Sequence, residues 1–213
     1  MGYMRAGFLV YGVDIESQPR YVGHGFHRGD ALEFVARFGA DFDAIAASPQ
    51  CHAMTTVSNR WRGKGGKADS HVNLIPETRD ALVRSGKPYV IENVPGASAH
   101  MRSPVILRGG AFGLRVERAR LFETNFQLVA PKRVKVSDPV GVYGKADGRR
   151  LTQNPRKDGT HQFAARSLAE AAEAMGGLHW MDERELMECI PPAYTEYIGR
   201  AMLAECFPNR RCL

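Results

Sequence analysis

Short apolar runs alternate with helix-period segments through the first two-thirds of the chain, the pattern of an α/β fold. Residues 8–13 read as a buried strand that stops at Asp14. Leu32, Val35 and Phe38 recur at helical spacing in the following segment. Residues 42–47 predict a second strand, ended by Ser48-Pro49, and residues 76–84 a helix with proline in its first turn. Residues 89–91 predict a third strand, ended by Glu92-Asn93. Residues 105–107 and 120–123 are weaker strand candidates. Strand and helix alternating across short turns imply a largely parallel sheet.

From residue 131 to residue 159 the pattern breaks down. Gly, Pro, Asp, Lys and Arg dominate, and only Val134, Val136, Val140 and Val142 alternate as a hairpin would. Helical spacing then resumes. Ser167 is placed to cap a helix over 168–175, Asp182 one over 183–189, and Pro192 opens a helix that runs to about Cys206. Three parts are expected: an α/β domain over 1–130, a small basic insert over 131–165, and C-terminal helices over 166–213 that pack back on the first part.

Charge sharpens the role of the insert. The 213 residues carry a net charge of +6, and 44% are hydrophobic, enough for one full core with an appendage. Residues 131–157 hold eight Lys or Arg against two Asp, an excess equal to the charge of the whole chain. Arg60, Arg62, Lys64 and Lys67 form a second basic run. Localised positive charge of this kind suits a phosphate backbone. The four cysteines, Cys51, Cys189, Cys206 and Cys212, have no zinc-site spacing, so no metal is expected. No apolar run approaches the length of a membrane span and no secretory leader opens the sequence, so a cytoplasmic protein is expected.

Several polar residues fall where expected strands stop: Asp14, Asp30, Cys51 and Glu92. In open α/β sheets the ligand crevice lies beyond the carboxyl ends of the strands. Each residue also has a plainer reading. Asp30 suits a helix cap, Asp14 a turn, Cys51 a half-buried thiol and Glu92-Asn93 an ordinary strand exit.

Their order matches one family. Gly2-Tyr3-Met4-Arg5-Ala6-Gly7-Phe8 leads to Gly12-Val13-Asp14-Ile15, then to Gly29-Asp30-Ala31-Leu32 and Ala47-Ser48-Pro49-Gln50-Cys51. Tyr89-Val90-Ile91-Glu92-Asn93-Val94-Pro95-Gly96 follows, then Arg118-Ala119-Arg120-Leu121-Phe122-Glu123 and Ile190-Pro191-Pro192-Ala193-Tyr194-Thr195-Glu196-Tyr197-Ile198-Gly199. From residue 2 almost to its end the chain resembles a DNA cytosine-C5 methyltransferase of the short, phage-encoded type. The resemblance implies a Rossmann-like, mostly parallel sheet of the S-adenosylmethionine-dependent type. It also implies Cys51 as nucleophile on C6 of the base, because C5 is too weak a nucleophile to take a methyl group unaided. Glu92 would serve N3, for which a raised pKa would suit it. Arg120 would hold the O2 edge, Arg118 would contact phosphate or support Arg120, and Asn93 would fix the strand-end turn and the Cys51 loop. Asp14 would accept from the donor's ribose, Ile15 would pack on its adenine and Asp30 would take the adenine amino group, with Ala31 and Pro49 beside them. Arg60, Arg62, Lys64, Lys132, Arg133, Arg149 and Arg150 would contact DNA, in a duplex from which the target cytosine is flipped out.

Three departures accompany the resemblance. The family carries a strand and a phenylalanine-glycine-rich loop just before the stretch that corresponds to Gly2-Tyr3. Without them a central gap is expected in the sheet, with unpaired backbone groups and open apolar surface. Three explanations stand: a start internal to a longer gene, a strand supplied by another segment or chain (a homodimer among the options), or a relative that no longer binds the donor. Second, Gln50 and His52 flank Cys51 where the family commonly has Pro and Gln, and Val116 replaces a glutamine. A neighbouring imidazolium would favour the thiolate. Third, the recognition region is short. That implies a relaxed sequence preference, or a free pyrimidine nucleotide as an alternative substrate. A DNA-binding relative without catalysis is the other alternative.

Overall fold

The computed structural model describes residues 1–50, 72–151 and 162–208. The chain is mixed α/β, with small sheets and several helices. Its contacts divide it into two compact units. The first comprises Met1–Leu9, Arg108–Arg118 and Pro131–Gly199, the second Val10–Leu107, Ala119–Ala130 and Arg200–Leu213.

The second unit holds most of the strands. β1 (Tyr11–Asp14) pairs in parallel with β2 (Gly25–Arg28). α2 (Ala31–Phe38) follows, where Asp30 accepts from the Leu32 and Glu33 amides. After it come β3 (Ile45–Ala47), α3 (Ile75–Ser85), β4 (Tyr89–Asn93), β5 (Val105–Leu107) and β6 (Arg120–Thr124). α3 stops where Gly86 takes a left-handed φ of 68°, which a side chain would resist. β3, β4, β6 and β5 form one sheet in that order. β3 and β4 are parallel, but β6 runs antiparallel to both β4 and β5. The sheet is therefore mixed rather than mostly parallel. β5 and β6 pair as neighbours running in opposite directions, which no helix crossover has to connect.

The interior of this unit lies between α3, β4 and the 3-10 turn Pro95–His100, where Ile75, Leu82, Ile91 and Ala97 are all buried. Glu123 on β6 is 1% exposed and takes two bonds from the Arg79 guanidinium, one of them 2.7 Å long. The Arg102 amide donates to the same carboxylate at 2.7 Å, and Arg79 also donates to the His100 carbonyl. A buried carboxylate is tolerable only when paired and hydrogen-bonded in this way.

Among the described residues no strand pairs with the second edge of β1 or of β3. The Asp14 carbonyl accepts from Gly29, so Gly12 and Asp14 face β2, and alternation turns the peptide groups of Tyr11 and Val13 outward. The Ile45 amide donates to Pro88 on the β4 side, which turns Ala46 outward in the same way. Neither β1 nor α2 contains a buried residue, and Leu9, Tyr11 and Ile15 are 75%, 57% and 65% exposed. Parallel strands are ordinarily covered on both faces.

The regular structure of the first unit is mainly helical. α1 (Gly2–Arg5) packs on the start of α6 (Pro192–Cys206), so closely that a Cβ on Gly2 would lie 2.0 Å from Thr195 Oγ1. α4 (Leu168–Ala174) is capped by Ser167, and α5 (Glu183–Glu188) by a reciprocal Asp182–Glu185 capping box. The hairpin expected from the four alternating valines does not form. β7 is only Val140–Gly141 and pairs in parallel with β8 (Phe163–Ala164). Other partners hold the segment. The Arg115 carbonyl takes the Val140 amide at 2.7 Å, and Gly110 lies against the Val134 carbonyl.

Candidate active site

The carboxyl end of β4 and the start of β6 bring two of the expected catalytic residues together. In the antiparallel register Glu92 stands opposite Phe122 and Asn93 opposite Leu121. Arg120, two residues before Phe122, therefore shares the face of Glu92 on the diagonal, within reach of a long side chain. Arg120 Nε lies 3.0 Å from Glu92 Oε1, and each side chain is 12% exposed. Arg120 Nη1 also donates to the Ala119 carbonyl at 3.0 Å. The guanidinium is thus held from two sides, with its plane fixed at the end of the sheet.

Asn93 is 1% exposed. Its Nδ2 donates to the Pro49 carbonyl and its Oδ1 accepts from the Val94 amide, both at 3.0 Å. One buried amide thereby joins the exit of β4 to the segment after β3, two residues before Cys51 in sequence. Cys51 itself, with Arg60, Arg62 and Lys64, lies outside the described residues.

Arg118 departs from expectation. It is 3% exposed, has a positive φ of 25° and spends its guanidinium on main-chain carbonyls. Its Nε and Nη2 donate to Cys189, Nη2 also to Met187, and Nη1 to Val142 at 3.3 Å. The Met187 and Cys189 carbonyls lie at the end of α5, whose last carbonyls lack helical donors, and the Val142 carbonyl directly follows β7. Arg118 is therefore an internal strut of the first unit rather than a phosphate ligand. Burial and carbonyl demand, not a solvated strand face, account for it.

The residues expected on the donor side stand at the ends of β1 and β2. Asp14 Oδ1 accepts from the Glu16 amide at 2.8 Å, and Oδ2 from Gln18 Nε2 at 3.2 Å. Asp30 directs Oδ1 at the first turn of α2, the capping role already open to it in the sequence. Ile15 and Ala31 present exposed side chains. Both Asp14 oxygens and Asp30 Oδ1 thus already accept hydrogen bonds from within the chain. Gln18 has no motif of its own; only its spacing of four residues from Asp14 could have signalled the contact.

Lys132, Arg133, Arg149 and Arg150 are all exposed in the first unit, with Arg149 also 3.6 Å from Asp147. Cys189 and Cys206 are half-buried thiols outside any disulfide; the Cys189 thiol donates to the Leu186 carbonyl, and burial raises the Cys206 pKa. Among the described residues no cluster of three or more His, Cys, Asp or Glu side chains could hold a metal ion, and no helix is long and apolar enough to cross a membrane. Comparison with protein-family profiles and with characterised proteins finds no match to this chain.

Proposed function

We propose that this protein transfers a methyl group from S-adenosylmethionine to C5 of a cytosine in DNA, with Cys51 as nucleophile. The observation that carries this reading is the Glu92–Arg120 pair, fixed at 3.0 Å on adjacent strands and mostly shielded from water. Addition of a thiolate to C6 drives electron density onto N3 and O2. A carboxyl group and a guanidinium on one face answer those two positions. Glu92 serves N3, and Arg120 turns a terminal nitrogen to O2 while Nε keeps Glu92 in place. Asn93 supports the site by holding Pro49, and so the approach to Cys51. When bound, S-adenosylmethionine supplies the electrophilic methyl; Asp14 and Asp30 would hold its adenosine, with Ile15 against the ring. Loss of the C5 proton to a solvent base then breaks the C6–S bond and expels the Cys51 thiolate. In this reading the second unit is the donor-binding part of a Rossmann-like fold, and Lys132, Arg133, Arg149 and Arg150 grip the phosphates of a duplex whose cytosine is flipped out.

The test is transfer of a radiolabelled methyl group to DNA. Cys51→Ala is expected to abolish transfer with DNA affinity unchanged, and Glu92→Gln to slow it by about 10²–10⁴-fold. Full transfer by Cys51→Ala would remove Cys51 from the chemistry and end this reading.

A second reading is favoured by Gln18 on Asp14, and by β1 and β3 each having one paired edge among the described residues: a DNA-binding relative that no longer holds the donor. Calorimetric titration with S-adenosylmethionine separates the two. Micromolar binding supports the enzyme; no binding together with salt-sensitive DNA binding supports the relative.

A further inference from the structure

The first unit contains an open cleft of about 340 Å³. That size is at the lower end of the roughly 300–1,000 Å³ usual for small-molecule sites. Gly110, from the Gly109–Phe112 turn, and Gly113 line one side of it. Gly110 touches the opposite wall so closely that a Cβ there would lie 2.1 Å from the Val134 carbonyl oxygen. The walls are apolar, built from Leu114, Val134 and Val136, and Val134 is 52% exposed. The rim is polar: Arg115, Lys135, Ser137 and Asp138.

Arg115 is fixed at its backbone, where its carbonyl takes the Val140 amide. Its guanidinium is 49% exposed and reaches Asp138 at 3.7 Å and Glu170 at 3.5 Å. The first contact is long and its acid is 89% exposed, a pairing of little energetic weight. Glu170 has a closer partner in Arg166, at 3.1 Å. An incoming phosphate can therefore take Arg115 at small cost. Lys132 and Arg133 are exposed just before the Val134 wall and extend the positive charge along the chain.

We propose that this cleft takes one unpaired nucleotide of a nucleic-acid strand, its base against Leu114 and Val134 and its phosphate on Arg115 and Lys135. A free anion would leave the Val134 wall uncovered, and a neutral apolar ligand would leave the cationic rim unused. A nucleotide within a strand answers both, and its neighbouring phosphates meet Lys132 and Arg133. The inference rests on the nucleic-acid reading above and adds to it a contact with unpaired bases, in a region otherwise suited only to gripping phosphates.

Affinity of the full chain for a short fluorescein-labelled single strand and for the matching duplex, followed by anisotropy across a salt series, tests it. Arg115→Gln is expected to weaken the single strand about tenfold and to reduce the salt slope by ~0.7. Asp138→Asn, which removes the competing acid, is expected to strengthen binding several-fold. Val134→Ser is expected to weaken the single strand several-fold with an unchanged salt slope and little effect on the duplex. Arg84→Gln, an exposed charge in the other unit, is the control for net charge. Equal effects of Arg115→Gln and Arg84→Gln, or a silent Val134→Ser, would overturn the cleft while leaving DNA binding intact. No binding of either nucleic acid overturns the cleft and the proposed function together. Tighter binding of free deoxycytidine monophosphate than of the strand would overturn the strand as the source of the nucleotide.

Discussion

Arg118 holds a positive φ of 25° with a bulky side chain, a conformation that costs about 1–3 kcal/mol unless its surroundings compensate. Here the compensation is visible. The guanidinium donates to two carbonyls at the end of α5 and to that of Val142 after β7, its face lies 5.9 Å from the Tyr143 ring, and the Arg118 carbonyl accepts from the buried Tyr194 hydroxyl. Replacement by methionine removes every donor and leaves those carbonyls to find water. Arg118→Met is therefore expected to cost about 3 kcal/mol in urea unfolding. A variant as stable as the parent would show that the carbonyls are satisfied otherwise. Arg120 has the contrasting character. Its guanidinium meets a side-chain carboxylate at a sheet end, where a substrate can share it. Two arginines two positions apart have different roles because one meets main-chain acceptors and the other an acid.

At the scale of elements, helix starts show how local chemistry sets structure. Ser167 accepts from the Glu170 amide, and Glu170 in turn receives both the amide and the guanidinium of Arg166. The Arg166 hydrogen bonds hold the Glu170 carboxyl below its ordinary value of 4.5. The folded-state value is depressed, so the contact contributes fully above the ordinary carboxylate range and is lost as pH falls through the lowered value. A carboxyl-carbon NMR titration of Glu170 is expected to show that low midpoint, and Arg166→Gln should raise it. An unchanged midpoint in the variant would place the cause elsewhere. Asp182, Ser167 and Asp30 were readable as caps from sequence because a cap needs only residues within three or four positions. The valine alternation over 134–142 misleads, because its partners are Arg115, Gly110 and Phe163, distant in sequence and unmarked by any motif.

For the whole molecule, the division of the strands between separate sheets has a measurable consequence. β4 is paired on both sides, and Val90 and Ile91 are 1% and 0% exposed. β1 and β3 each have one partner among the described residues, and their outward amides belong to Tyr11, Val13 and Ala46. Native-state hydrogen exchange is expected to be fastest at these three amides and slowest at Ile91 and Phe122. Equal protection would mean that another strand occupies the open edges. Protection that grows with protein concentration would identify that strand as belonging to a second copy, as β-strand addition at an exposed edge allows.

The sequence by itself determined the position of most helices and strands, because period, caps and proline are local signals. It also placed Asp14, Asp30 and Glu92 at strand ends, for the same reason. It carried the Glu92, Asn93 and Arg120 motifs as well, though not their meeting, which depends on an antiparallel register between strands separated by 26 residues of chain, from Asn93 to Arg120. Tertiary structure alone decided that Arg118 is buried, that Arg79 neutralises Glu123, and that Leu114, Arg115 and the Val134 segment enclose a cleft. Each of these rests on partners far apart in sequence, whose pairing is fixed by packing and by the demand of buried polar groups for a donor or an acceptor.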